Sequence, residues 1–110
     1  MDLTKAKCVP CEGGVKPLKG KDLQKYLSQL KTKWSIIAGK KIRQEFKFKN
    51  FKEAIDFVNK VALLAENEGH HPDIYIFYNR VKIELWTHAI GGLFENDFIL
   101  AAKIERLNVV

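Results

Sequence analysis

The feature that most constrains the fold is one long run of apolar residues at helical spacing. Asn50 stands at an N-cap position with Glu53 three residues later, which is typical of a capping box, and Gly69 is a natural residue to end the helix. The pattern predicts a helix of about four turns between these ends. The apolar positions follow the i, i+3, i+4, i+7 rule: Phe51, Ala54, Ile55, Val58, Val61, Ala62 and Ala65.

A pair of extended segments precedes this helix. Residues 34–37 are followed by a turn at 38–40 and then by a run in which Ile42, Gln44, Phe46 and Phe48 alternate with charged residues. Alternation with a period of two indicates a strand with one buried and one hydrated face. The segments predict a β-hairpin.

A second pair of β-rich runs, 74–78 and 81–87, follows the helix. Val81, Ile83 and Leu85 share one face, and Asn79 tolerates the positive φ that a tight turn between the runs requires. We therefore expect a second hairpin.

Two further helices are expected near the chain ends. Asp22 is placed to cap the first, and the last opens at Glu95 or Asn96. The order α-β-β-α-β-β-α, with short connections, favours antiparallel hairpins. It predicts an α+β fold, a two-layer sandwich in which three helices cover one face of a four-stranded antiparallel sheet. The apolar positions of the two helices are Leu23, Tyr26, Leu27 and Leu30, and Leu100, Ala101, Ile104 and Leu107.

The first 20 residues differ in character, because proline and glycine punctuate them too densely for a regular element. We interpret residues 1–20 as an irregular N-terminal arm and 21–110 as a single domain. The arm carries a lone CxxC motif, Cys8 to Cys11. Because no second CxxC completes a zinc site, we interpret the pair as reduced thiols in a loose arm. Oxidation, or metal sharing across an oligomer, stays open.

The net charge of +6 suggests a polyanionic partner, but its distribution argues against one. Residues 1–60 hold 15 basic and 6 acidic residues, a balance of +9, whereas residues 61–110 hold 4 and 7, a balance of −3. We interpret the basic surplus as solvated surface and expect no nucleic-acid partner. No apolar run approaches the roughly 20 residues of a membrane span. The polar N-terminus resembles no secretory signal, so we expect a cytoplasmic protein with no membrane association.

All three histidines of the chain lie in its acidic half. His70 and His71 follow the long helix directly, and His88 ends the last predicted strand, so the three can line one cleft with Thr87 beside them and Trp86 as a flat wall. A protonated and a neutral imidazole together suit general acid-base catalysis near pH 7. Adjacent histidines point in different directions, which makes them awkward joint metal ligands, and no nucleophile or phosphate-loop motif is present.

The pattern around the histidines resembles the pterin-4a-carbinolamine dehydratase family over residues 22–108. The resemblance rests on His70-His71-Pro72, on Tyr78-Asn79-x-Val81, and on Thr87-His88-x-x-Gly91-Gly92-Leu93-x-x-x-Asp97 followed by Leu100-Ala101.

The resemblance implies dehydration of 4a-hydroxytetrahydropterin to quinonoid dihydropterin, which recycles the tetrahydropterin cofactor of aromatic amino-acid hydroxylases. It implies a homodimer or homotetramer and neither a metal nor an organic cofactor. The catalytic residues would be His70, His71 and His88. Those contacting the pterin would be Gly69, Trp86, Thr87 and Ala89, with Glu66 supplying the acidic group that animal members carry as an Asp before the histidine pair.

Three alternatives stay open. Some animal members of the family also act as a dimerisation cofactor for a homeodomain transcription factor, so the chain could be a non-catalytic binding module. A basic first half could bind nucleic acid, with a steep salt dependence. A metal-dependent hydrolase would lose activity on chelation and regain it with zinc.

Overall fold

The computed structural model describes residues 2–10 and 13–107. Within these ranges no helix is both long and apolar enough to cross a bilayer. Short 3₁₀ turns occupy Leu3–Lys5 and His88–Ile90. The helices are α1 (Gly20–Leu27), α2 (Phe51–Glu68) and α3 (Glu95–Leu107), and the strands are β1 (Ser35–Ile37), β2 (Lys41–Lys47), β3 (Asp73–Phe77) and β4 (Arg80–Leu85).

The four strands form one antiparallel sheet in the order β1-β2-β4-β3. Each predicted hairpin forms, and the two meet through β2 and β4, where Phe46 lies opposite Val81 and Ile42 opposite Leu85. The predicted α+β class, with three helices and four antiparallel strands, is confirmed. The arrangement leaves β3 at one edge of the sheet.

The core lies between the sheet and the helices. Val81, Ile83 and Leu85 of β4 have no exposed surface, as their shared face predicted. α2 and α3 cover them with apolar side chains at helical spacing, because these residues recur on one face of each helix. The buried helix residues are Ala54, Phe57, Val61 and Ala65 of α2 and Phe98, Leu100, Ala101 and Ile104 of α3.

Two predictions, one about a helix cap and one about a hairpin turn, were wrong in detail. α1 begins at Gly20, ahead of Asp22, so the Asp22 side chain lies in the first turn and is not the cap. In the second hairpin the positive φ falls on Tyr78, at 51°, and not on Asn79. The Asn79 side chain instead donates to the Phe48 carbonyl over 3.0 Å, which ties this turn to the end of β2.

The arm is not loose where the structure describes it. Leu3 is 3% exposed and Cys8 6%, and both belong to the core. Cys11 lies outside the described residues, so the interpretation of the pair stays a prediction. Burial and the neighbouring Glu68 carboxylate raise the pKa of the Cys8 thiol to about 12. The first part of the arm is thus an integral layer of the fold.

At two positions burial differs from what the position on a strand or helix face alone indicates. Glu84 lies on the sheet face opposite the helices yet is only 3% exposed. Arg43 pairs with it at 2.5 Å and Lys41 at 3.7 Å, so side chains from the neighbouring strand cover it. Phe51, predicted to pack inside, is half exposed at the start of α2.

Candidate active site

The end of α2 fixes the backbone of the histidine pair. Gly69 takes the left-handed conformation, with φ 68°, which a side chain would strain. The His70 N–H donates to the Ala65 carbonyl over 3.2 Å, and the Gly69 N–H donates to the Glu66 carbonyl over 3.3 Å. These two bonds form a Schellman motif, so His70 occupies a defined position at the end of the helix.

The third histidine lies in a short closed loop that leaves β4. Thr87 and Gly92 face each other in an isolated bridge, where the Thr87 N–H donates to the Gly92 carbonyl over 2.8 Å. His88 opens the 3₁₀ turn between them rather than ending the strand. The bridge holds the ends of the loop together, so His88 projects from an anchored segment.

Asp97 joins the two histidine-bearing segments. It lies in the first turn of α3 with no exposed surface. One carboxylate oxygen, Oδ1, lies 2.7 Å from His70 Nε2, and the other accepts from the Thr87 hydroxyl over 2.8 Å and from the Phe94 N–H over 2.9 Å. A carboxylate can only accept hydrogen bonds, so His70 Nε2 must carry a proton. Asp97 therefore orients the imidazole and leaves Nδ1 as its exchangeable nitrogen.

A cavity of about 210 Å³ brings the predicted residues together. All three histidines line it, and so do four of the five residues expected to contact substrate. The His70 side chain is 12% exposed and that of His71 62%, so the two imidazoles meet very different environments. The lining residues are Val9, Gly69, His70, His71, Trp86, Thr87, His88, Ala89 and Asn96.

Glu66 is the predicted residue that does not line the cavity. Its carboxylate lies one turn before the end of α2 and contacts His71 Nε2 directly. Both side chains are largely exposed, so solvent screens the pair and its contribution to stability is small. The contact still gives His71 a carboxylate neighbour, as Asp97 does for His70.

Trp86 forms an apolar wall beside His88. The two ring centroids lie 3.9 Å apart with the planes at 74°, an edge-to-face contact. The indole Nε1 donates to Asp73 over 2.9 Å, and the Lys41 ammonium lies 4.9 Å from the ring centroid. The indole is held from three sides beside the cavity.

A larger cavity of about 930 Å³ lies between the first 3₁₀ turn and the end of α3. It contains no histidine, and its buried carboxylate, Glu105, is already occupied. Glu105 accepts from the Lys31 and Thr32 backbone N–H groups and from the Trp34 indole. These bonds anchor the segment before β1 to α3, so the carboxylate has a structural role. In the described ranges no group of three or more acidic, histidine or cysteine side chains is arranged to hold a metal ion.

Sequence reasoning did not assign to the site two cavity-lining residues, Val9 and Asn96, or the Asp97 carboxylate that holds His70. Asp97 appeared only within the family pattern. Its position was a usable signal, because an acidic residue three positions after the start of a helix often accepts from the backbone N–H there, as Asp97 does from Phe94. Val9 and Asn96 gave none, because they meet across 87 residues of chain. The folded arm brings Val9 to the cavity, and the first turn of α3 brings Asn96 there.

The family model for pterin 4 alpha carbinolamine dehydratase matches residues 16–107. The chain belongs to this family. Relatives provisionally named pterin-4-alpha-carbinolamine dehydratase include one from Alkaliphilus metalliredigens, 47% identical over 96% of this chain and 95% of that protein. Another, from Rickettsia canadensis, is 50% identical over 94% of each chain.

Solved structures carry the same fold as this dehydratase-family chain. A Brucella melitensis protein described as a transcriptional coactivator/pterin dehydratase superposes with a TM-score of 0.78 at 34% identity, covering 86% of this chain and 100% of its own. A pterin dehydratase-like RuBisCO assembly factor of the alpha-carboxysome reaches 0.60 at 24% identity, covering 70% of this chain and 90% of its own. That second likeness concerns the fold alone.

Proposed function

We propose that this chain catalyses the dehydration of a 4a-hydroxytetrahydropterin to the quinonoid dihydropterin. The observation that carries the proposal is the convergence of His70, His71 and His88 on one cavity, with His70 held by the buried Asp97 carboxylate. Family membership supplies the substrate class. The reaction needs neither a metal nor an organic cofactor, because proton transfers alone accomplish it.

The chemistry balances with two proton transfers. An imidazolium donates a proton to the oxygen on C4a, the C–O bond breaks, and water leaves. A neutral imidazole takes the proton from N5 while the C4a=N5 double bond forms. His70 and His71 act as this acid-base pair, and His88 is a further acid or an orienting group. Such proton transfers each contribute about 10²–10⁴-fold to the rate.

The remaining cavity residues bind the ring. Trp86 offers its flat face, and Gly69 and Ala89 let the backbone approach closely. The Thr87 hydroxyl donates to Asp97, so its first role is to position that carboxylate. Glu66 acts through its contact with His71.

In the cell this reaction would recycle the cofactor of an aromatic amino-acid hydroxylase, and we place it in the cytoplasm. We also propose a homodimer or homotetramer. Its support is the exposed apolar surface of edge strand β3 and its turn, where Tyr75, Ile76, Phe77 and Tyr78 are each at least 40% exposed. Large exposed apolar patches mark contact surfaces. Light scattering of the wild type and of Ile76→Lys tests this, and a monomeric wild type contradicts it.

Stopped-flow kinetics of 4a-carbinolamine dehydration test the catalytic proposal. We expect His71→Ala and His88→Ala to lower kcat/KM by about 10²-fold or more. Lys60→Ala, at an exposed position of α2 outside the cavity, is the control and should match the wild type. Wild-type rates in both histidine variants would refute the mechanism. Loss of activity with a chelator, restored by zinc, would favour the hydrolase.

A non-catalytic binding role is the second candidate. The Brucella melitensis relative, 34% identical, is described as a transcriptional coactivator as well as a pterin dehydratase. The same assay separates the two roles: a folded wild type that neither dehydrates the carbinolamine nor binds pterin would point to the binding role.

A further inference from the structure

The N-terminal arm contributes one wall of the catalytic cavity. Val9 lines the cavity with the histidines, although more than 60 residues separate it from each of them in sequence. Val9 is 55% exposed, and the Cys8 side chain next to it is buried in the core. An apolar side chain thus remains open to solvent on a segment whose neighbour is anchored.

Hydrogen bonds fix the backbone of this segment. The Val9 N–H donates to Asn96 Oδ1 over 2.9 Å, and Asn96 Nδ2 donates back to the Val9 carbonyl over 2.6 Å. The Cys8 N–H donates to Glu68 Oε1 over 3.0 Å. Glu68 is itself held by Lys103, whose ammonium lies 2.7 Å from the other carboxylate oxygen. The arm is therefore bonded both to the end of α2 and to the start of α3.

The electrostatics of Glu68 agree with the geometry of this anchor. Burial alone would raise the pKa of Glu68, but the bonds from the Cys8 N–H and from Lys103 outweigh it and hold the pKa below its ordinary value. Glu68 immediately precedes Gly69, so the anchor lies next to the Schellman motif that positions His70.

The arm is anchored a second time, where the loop that carries His88 ends. The Leu18 N–H donates to the Leu93 carbonyl over 2.8 Å. Pro17 packs so closely on Gly92 that a Cβ there would lie 2.8 Å from the proline Cβ. These contacts fix the arm against the far end of the loop that carries His88.

The buried Asn96 side chain lines the cavity and directs its amide group to the arm. It is 2% exposed, and both polar atoms of its side chain are bonded to Val9. A buried amide costs stability unless its hydrogen bonds are satisfied, so replacing it releases the arm at the cavity. The two hydrogen bonds with Asn96 hold one apolar side chain, Val9, in the lining of the cavity.

We propose that Val9 is an apolar contact for the bound pterin and that Asn96 is the residue that positions it. This inference rests on the proposed function and extends it from the histidines to the arm. Ligand sites are lined mainly by apolar surface with a few placed polar groups, and Val9 adds such surface to that of Trp86 and Ala89.

A matched pair of valines tests the contact. Val9→Ser is expected to raise the KM for the carbinolamine about fivefold while kcat stays within twofold, because it removes apolar contact that substrate and transition state share. Val15→Ser makes the same change in the same arm at a residue that is 43% exposed and outside the cavity lining. We expect no change in KM for Val15→Ser.

A double-mutant cycle tests the positioning role. Asn96→Ala should raise KM about as much as Val9→Ser, and the double variant should add little, because both remove one wall. If Asn96→Ala does not fold, Asn96→Asp retains the acceptor for the Val9 N–H and removes the donor to its carbonyl. Thermal unfolding of each variant is the accompanying readout. Fully additive effects would overturn the positioning role.

Titration calorimetry with 7,8-dihydrobiopterin, a stable probe, separates this inference from the proposed function. An active wild type whose KM and Kd are unchanged by Val9→Ser overturns the inference alone, and so do equal effects of the two valine variants. A wild type that binds the probe without dehydrating the carbinolamine refutes the proposed function, and the Kd values of Val9→Ser and Val15→Ser then decide the inference. A folded wild type that neither binds nor reacts refutes both.

Discussion

Replacing Asp97 with asparagine is the sharpest test of how the site is built. The change preserves size and removes one charge. Two donors, the Thr87 hydroxyl and the Phe94 N–H, hold Oδ2, so an asparagine would place its oxygen there and its NH₂ group toward His70. His70 Nε2 would then have to accept, which moves the imidazole proton to Nδ1. The ring would present the wrong tautomer to the substrate.

The expected loss of activity in Asp97→Asn can be estimated from the geometry. In the proposed mechanism His70 passes through the imidazolium whether it acts as acid or as base, and the buried Asp97 carboxylate, 2.7 Å from Nε2, would stabilise that cation. Each charge is spread over its group, so the two charge centres are about 4 Å apart, and two unit charges at that distance interact by about 4 kcal/mol at an effective dielectric constant of about 20. At 1.36 kcal/mol per tenfold, that is an upper limit of about 10³ in rate. We expect kcat/KM to fall by about 10²–10³-fold.

Stopped-flow dehydration rates of four proteins test whether Asp97 acts through His70: wild type, Asp97→Asn, His70→Ala and the double variant. A positioning role predicts that Asp97→Asn has little further effect once His70 is absent. It also predicts a changed pH-rate profile in the single variant. Glu95→Gln removes a charge from the same helical turn and is the control. A folded Asp97→Asn within threefold of wild type, or fully additive effects, would refute the reasoning.

Three further outcomes follow from the packing. Gly69→Ala places a side chain at φ 68°, which costs about 1 kcal/mol and should lower Tm by about 5 °C; an unchanged Tm would be inconsistent with the strain. Burial would raise the pKa of Glu84, but Arg43 holds it below its ordinary value, so the stability from this carboxylate is lost as pH falls through that lowered pKa. Arg43→Gln should therefore move acid unfolding to higher pH and cost about 1 kcal/mol at neutral pH, measured by urea unfolding across pH. In a Cys11→Ser variant, Cys8 should react with a disulfide reagent at pH 8 only after unfolding, because burial and the nearby Glu68 raise its pKa to about 12; rapid reaction of the native protein would contradict this.

The parts of the fold that could be predicted are those with a local signature. α2 spans the predicted stretch because its Asn50 cap, its apolar period and its terminal Gly69 all lie within 20 residues of one another. The alternation in β2 and β4 likewise fixed which side chains face the core, including Val81 and Ile83. Local periodicity determines elements, and element ends then bring the histidines together.

The parts that could not be predicted depend on contacts between distant segments. Nothing near Glu84 in sequence shows that Arg43 would cover it, so a position on the open face became buried. Tyr78 takes the positive φ beside the more permissive Asn79, because the Asn79 amide is bonded to the end of β2. The arm showed no period at all, yet Cys8 entered the core. In each case a long-range bond overrode the local preference.

The first turn of α3 explains why the arm and the histidines belong to one site. Asn96 and Asp97 are consecutive, both are at most 2% exposed, and their side chains bond to different segments: Asn96 to Val9 of the arm, Asp97 to His70 at the end of α2. Thr87, next to His88, bonds to the same Asp97 carboxylate. A shift of this turn would therefore displace Val9 and His70 together. The cavity therefore depends on one helical turn with two buried polar side chains, of which Asp97 holds His70 and Asn96 holds Val9.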